Sequence, residues 1–137
     1  MKIIVAMAAA LVAAGCAADE PVAMDANSEA KLAAALQGYE AAGPPVDCVN
    51  QRDLGGNRSV GEDAIIFNGR SSGTLYVNRP AGGCPSMDFG RSLLVRATSS
   101  QLCRGDLATV FDVTSRIEYG SCGLGDFEPY KRVRDGS

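Results

Sequence analysis

Hydrophobic and polar positions change rhythm three times along the chain. Positions 3–14 are apolar without interruption, positions 28–37 repeat apolar residues every three to four, and from 46 onward the runs are short and partly alternating. The first run follows Lys2 and would rise ~18 Å as a helix, short of a ~30 Å hydrocarbon core. A charged start, a short apolar stretch and small residues at 13–15 describe a secretory signal over 1–15, not a spanning helix. In the second, "SEAKLAAALQGYEAAGPP" places Leu32, Leu36 and Tyr39 on one narrow stripe. This predicts a helix over 28–37, capped by Ser28 or Asn27, ended by Gly43-Pro44-Pro45 and laid on the domain.

The third rhythm predicts strands over 46–54, 64–67, 74–78, 92–97, 107–113 and 116–119. Turn signals such as "LGGN", "FNGRSSG" and "PAGGCP" separate them. "TLYVN" sets Leu75 and Val77 against Tyr76, and "LATVFDV" alternates likewise. The expected fold is mainly β: a small barrel or compact sandwich of about six antiparallel strands, preceded by the short helix. A domain over 46–134 is small enough to bury little more than about 60% of its unfolded surface. Two disulfides would be a fitting supplement.

Five cysteines are an odd number, and Cys16 stands apart from the other four. It closes "LVAAGC", a small-residue cleavage site that resembles the bacterial lipobox, although Ala13 stands where Leu is usual. Cys16 is therefore expected to carry lipid and serve as an anchor, since several acyl chains hold a protein on a membrane and one holds it marginally. That leaves Cys48, Cys84, Cys103 and Cys122, an even set suited to an oxidising compartment, with three possible pairings. A hairpin turning near Thr114-Ser115 would leave Cys103 and Cys122 out of direct opposition by ~13 Å, but an earlier turn would close much of that gap.

Charge separates a tether from the domain. Residues 17–47 hold six acidic side chains against Lys31, whereas residues 48–137 hold eleven basic and ten acidic ones. A nearly neutral domain lacks the basic footprint of nucleic-acid binding, so no nucleic-acid partner is expected. Residues 16–45 read as the lipidated Cys16, an acidic flexible tether and the short helix, with 17–27 reaching ~35–40 Å if extended. Ala17, where an aspartate would favour inner-membrane retention in such lipoproteins, points to the outer membrane facing the periplasm.

Candidate chemistry is sparse. The chain has no histidine, which removes Ser-His and Cys-His nucleophiles and most zinc, copper and non-haem iron sites. No C-x-x-C occurs, Glu62-Asp63 reads as a solvated turn, and "CRGD" at 103–106 reads as a tight turn feeding a strand. No catalytic residue, metal site or cofactor is expected, and the binding residues stay unassigned. Ten arginines against one lysine from 48 onward are the compositional oddity. They read as surface ion pairs, with a patch for an anionic envelope component as the alternative.

"GPPVDC", "LYVNRPAGGCP", "SSQLCRGDLATVFD" and "YGSCGLGDFEPY" together resemble a family of small Gram-negative lipoproteins classed as a domain of unknown function. The motif set falls on Tyr76, Asn78, Cys84, Pro85, Cys103, Gly105, Asp106, Cys122 and Phe127, within 38–131. The resemblance implies a secreted, disulfide-containing single domain and supplies no substrate. The expected function is a membrane-anchored, non-enzymatic envelope module that binds an unknown envelope protein or an anionic component. One alternative is an inhibitor protecting against an incoming hydrolase, with "NRPAGGCPSMDFG" as its tip; a carboxylate-dependent enzyme is the other.

Overall fold

The structure is a computed structural model that describes residue 15, residues 24–88 and residues 91–134. The expected signal segment apart from Gly15, Cys16 and tether residues 17–23 lie outside the described residues.

Among the described residues one α-helix, α1 (Ala26–Ala35), precedes ten strands: β1 (Tyr39–Ala41), β2 (Cys48–Asn50), β3 (Leu54–Val60), β4 (Ala64–Gly69), β5 (Thr74–Asn78), β6 (Ser92–Arg96), β7 (Gln101–Cys103), β8 (Leu107–Phe111), β9 (Glu118–Gly123) and β10 (Phe127–Arg132). They form three antiparallel sheets, ordered β1-β10-β5-β4-β3, β2-β7 and β6-β8-β9. The mainly β expectation holds, with more and shorter strands than six. No barrel closes, because β1 and β3 end the large sheet as unpaired edges.

The large sheet is the middle layer of three. Alternation along β4 explains why: Ile65 and Phe67 point into one core, Ala64 and Ile66 into the other. With both faces covered, β4 reads as an unbroken apolar run, and all four side chains are buried. The first core packs Ile65, Phe67 and Phe127 against Leu93, Ala108 and Val110 of the three-stranded sheet and Val49 and Leu102 of the two-stranded one. The second packs Val60, Leu75 and Val77 under Leu32 of α1, with Leu36 and Tyr39 partly buried beside them. Leu32 lays the helix on the domain, but the helix stops at Ala35, short of the predicted 37: Leu36 is its C-cap and Tyr39, expected on the same stripe, begins β1.

α1 begins two residues before the predicted start because Asp25 supplies the cap, its carboxylate accepting from Asn27 N at 3.2 Å. Asp25 N in turn donates to Asp63 Oδ2 at 3.0 Å, tying the helix start to the β3–β4 turn. Gly61, at φ 60° in that turn, lies against Ser28: a Cβ there would come 2.1 Å from Ser28 Oγ. Only glycine allows this approach and this backbone together.

Candidate functional site

The four domain cysteines form two crossed bridges, Cys48–Cys103 and Cys84–Cys122. Cys48 and Cys103 stand directly opposite in the β2–β7 pair, Cα to Cα 4.0 Å, and are half-buried. Cys84 and Cys122, Cα to Cα 5.2 Å, are buried in the first core. Cys122 is paired in register with Ala108. Its bond therefore runs across the core to the β5–β6 loop, not along a hairpin. Sequence left the three pairings open; the sheet register selects this one.

The motif residues gather around the same core. Asn78 is completely buried at the end of β5, donating from Nδ2 to Gly125 O and accepting from Gly125 N, both at 2.8 Å. Gly125 passes so close to the β5 end that a Cβ would lie 2.2 Å from Arg79 O. Phe127 is fully buried, its ring 5.5 Å from Phe67 and 6.4 Å, edge on, from Tyr76. Gly105-Asp106 is the expected tight turn: Asp106 Oδ2 accepts from Cys103 N at 2.8 Å, Asp106 N donates to Cys103 O and Gly105 N to Leu124 O. A buried asparagine after an alternating strand was the signal sequence reasoning passed over. Such an amide needs partners on both its donor and acceptor sides.

The carboxylates serve backbone turns. Glu62 Oε1 accepts from Ser86 N at 2.9 Å while its carbonyl accepts from Cys84 N, so this turn, read as solvated, anchors the cysteine loop. Asp112 caps the β8–β9 turn, accepting from Thr114 N at 2.7 Å and Ser115 N at 3.0 Å. Those bonds, Ser115 foremost and then Thr114, hold its carboxyl below the ordinary aspartate value. Asp126 keeps a buried Oδ1 without a hydrogen bond, 3.4 Å from an Arg104 side chain that is 60% exposed. Among the described residues, no three His, Cys, Asp or Glu side chains converge as metal ligands would. The loop expected as an inhibitory tip is pinned, with Cys84 and Met87 fully buried and Ala81-Gly82 exposed at its apex.

Two surface features adjoin the smaller sheets. A cleft of about 200 Å³ opens where the unpaired edges of β3 and β6 meet, with Phe67, Leu54, Val95 and Leu102 as its walls and Gln51 and Asn57 at its rim. That is below the ~300–1,000 Å³ of typical ligand pockets and suits one large side chain. The other feature is apolar. Among the described residues, Leu94, Leu107, Val113, Ile117 and Tyr119 are exposed large hydrophobics on the β6-β8-β9 sheet and its connecting turn; Val46 and Val133 are the two elsewhere. In register, Leu94 faces Thr109, and Leu107 shares that outer face two residues along β8.

The profile of a family of unknown function, DUF6491, matches residues 1–128. The chain belongs to DUF6491. Neither a curated protein nor a solved structure matches it. In this DUF6491 domain the structure brings Asn78, Cys84, Cys122 and Phe127 together around the first core. Cys103, Gly105 and Asp106 form the neighbouring turn, and Pro85 stays exposed beside Cys84. These residues have bonding or packing partners inside the fold, so the motif is a framework; the surfaces that can meet another molecule lie outside it.

Proposed function

We propose that this DUF6491 protein is a membrane-anchored, non-enzymatic binding module of the cell envelope, lipidated on Cys16, facing the periplasm from the outer membrane and docking an envelope protein. The observation that carries the docking role is the concentration of exposed apolar side chains on the β6-β8-β9 face. Scattered surface leucines are ordinary, whereas a grouped set on one sheet marks a contact surface. Arg91 stacks 3.6 Å from the centre of the Tyr119 ring, supplying the arginine–aromatic pairing that partner surfaces favour. The anchor rests on the run before Cys16 and on the even set of cysteines that remains without it. The inhibitor alternative has less support, because the loop it would use is held at Cys84 and Met87.

Intact mass from native membranes tests the anchor: a chain starting at lipid-bearing Cys16 is expected, and a start beyond Cys16 without lipid overturns it. A photo-crosslinker at Val113 tests the face. One stoichiometric adduct is expected, and it is lost in Leu94→Lys/Leu107→Lys. An adduct that survives both changes, or none at all, defeats the docking reading.

A further inference from the structure

β10 ends in Lys131 and Arg132, followed by Arg134, and these three cations wrap one corner of the large sheet. Three cations elsewhere meet carboxylates, Lys31 with Asp88, Arg79 with Glu128 and Arg104 with Asp126, whereas Arg52, Arg58, Arg70, Arg96 and Arg116 meet none among the described residues. Among the described residues the three at the end of β10 have no such partner. Glu40 is opposite Lys131 across the β1–β10 pair but forms no ion pair with it. Like charges gathered at one strand end repel, and Glu40, which lines an adjoining groove with the same cations, offsets part of that repulsion.

The surroundings form a receptacle. A groove of about 560 Å³ is lined by Ser72, Gly73 and Thr74 on one side and by Lys131, Arg132 and Arg134 on the other, with no carboxylate among the described residues of its wall. Arg132 is held in place: its Nη2 donates to Tyr39 Oη at 3.2 Å, its guanidinium lies 5.4 Å from the Tyr39 ring centre, and its backbone N donates to Gly73 O at 2.7 Å. The planar fork of a guanidinium matches phosphate. Thr74 Oγ1 spends its proton on Ser71 O, which leaves the Ser72 hydroxyl, Lys131 and Arg134 as donors.

We infer that this corner binds a phosphate group through Lys131, Arg134 and Ser72, with Arg132 bordering it from the Tyr39 side of β10. The site is independent of the docking face, which lies on a different sheet, so either can fail alone. The phosphate could belong to a soluble phosphorylated compound or to a phospholipid headgroup, and the same cations would hold both.

The test uses the full chain carrying Cys16→Ser, which removes any lipid. Inorganic phosphate is titrated at constant ionic strength while backbone amide shifts are followed. Vesicles of phosphatidylglycerol and of phosphatidylcholine alone are sedimented with the same protein. Saturable shifts confined to 72–74 and 131–134 are expected. Affinity should fall about tenfold or more in Lys131→Gln/Arg134→Gln, and stay unchanged in the charge-matched Arg58→Gln/Arg96→Gln. Binding to phosphatidylglycerol vesicles without shifts from free phosphate, abolished by the same pair, supports the site and names the headgroup as its source. No binding in either arm, or equal loss in the control pair, overturns it.

Discussion

Asn78 and Gly125, separated by 47 residues, bond each other twice through one buried amide: the side chain gives a proton to the Gly125 carbonyl and takes one from the Gly125 amide. This clasp fixes the end of β5 to the loop between β9 and β10, two residues before Phe127, whose ring fills the first core.

Asn78→Ala should therefore leave the part-buried carbonyl and N–H of Gly125 unpaired together. At about 1–3 kcal/mol for each orphaned group, the expected loss is about 2–6 kcal/mol, read from urea midpoints at unchanged slope. A loss below ~1 kcal/mol would mean that water replaces the amide.

Gly61→Ala should loosen α1 from the sheet, since the added Cβ meets Ser28 and the backbone stays at positive φ. The expected cost is about 1–3 kcal/mol. Hydrogen exchange at 28–36 should quicken while β4 stays protected.

Removing either disulfide as a Ser pair should cost about 4 kcal/mol by loop entropy, the sequence separations being 55 and 38. Cys84→Ser/Cys122→Ser should cost more than Cys48→Ser/Cys103→Ser, because it also buries two hydroxyls in an apolar core. Equal losses in thermal unfolding would remove that distinction.

Asp112 has a lowered pKa in the folded protein, so its contribution is complete above the unfolded value of about 3.9 and disappears as pH falls through the folded value. The stability difference between the wild type and Asp112→Asn should be flat near neutrality and shrink below about pH 4. A difference independent of pH down to pH 2 would assign the turn to backbone geometry alone.

Where the chain alternates cleanly, sequence and structure agree: β5 has the predicted bounds, because Leu75 and Val77 against Tyr76 leave one reading of the faces. β3 escaped notice since "LGGN" reads as a turn. It is in fact the start of an edge strand whose register shifts between Leu54 and Asn57. β10 was hidden by Pro129. Pro129 O accepts from Ala42 N, just beyond the end of β1, so its missing donor falls where that edge strand has run out. The run predicted at 46–54 breaks into β2, a 3-10 turn over Gln51–Asp53 and the start of β3, with Asn50 Oδ1 accepting from Arg52 N at the break. Of the surfaces, the arginine excess is visible in composition, but the gathering of Lys131, Arg132 and Arg134 beside Ser72 depends on strand register, which composition does not contain.

The crossed order of the bridges, first cysteine of the domain to third and second to fourth, bears on what a protease can achieve. A single cut at any peptide bond between Cys48 and Cys122 leaves two fragments joined by at least one sulfur bridge. A nicked molecule stays in one covalent piece, its halves held at high effective concentration for re-pairing. Such damage is survivable until a reductant arrives.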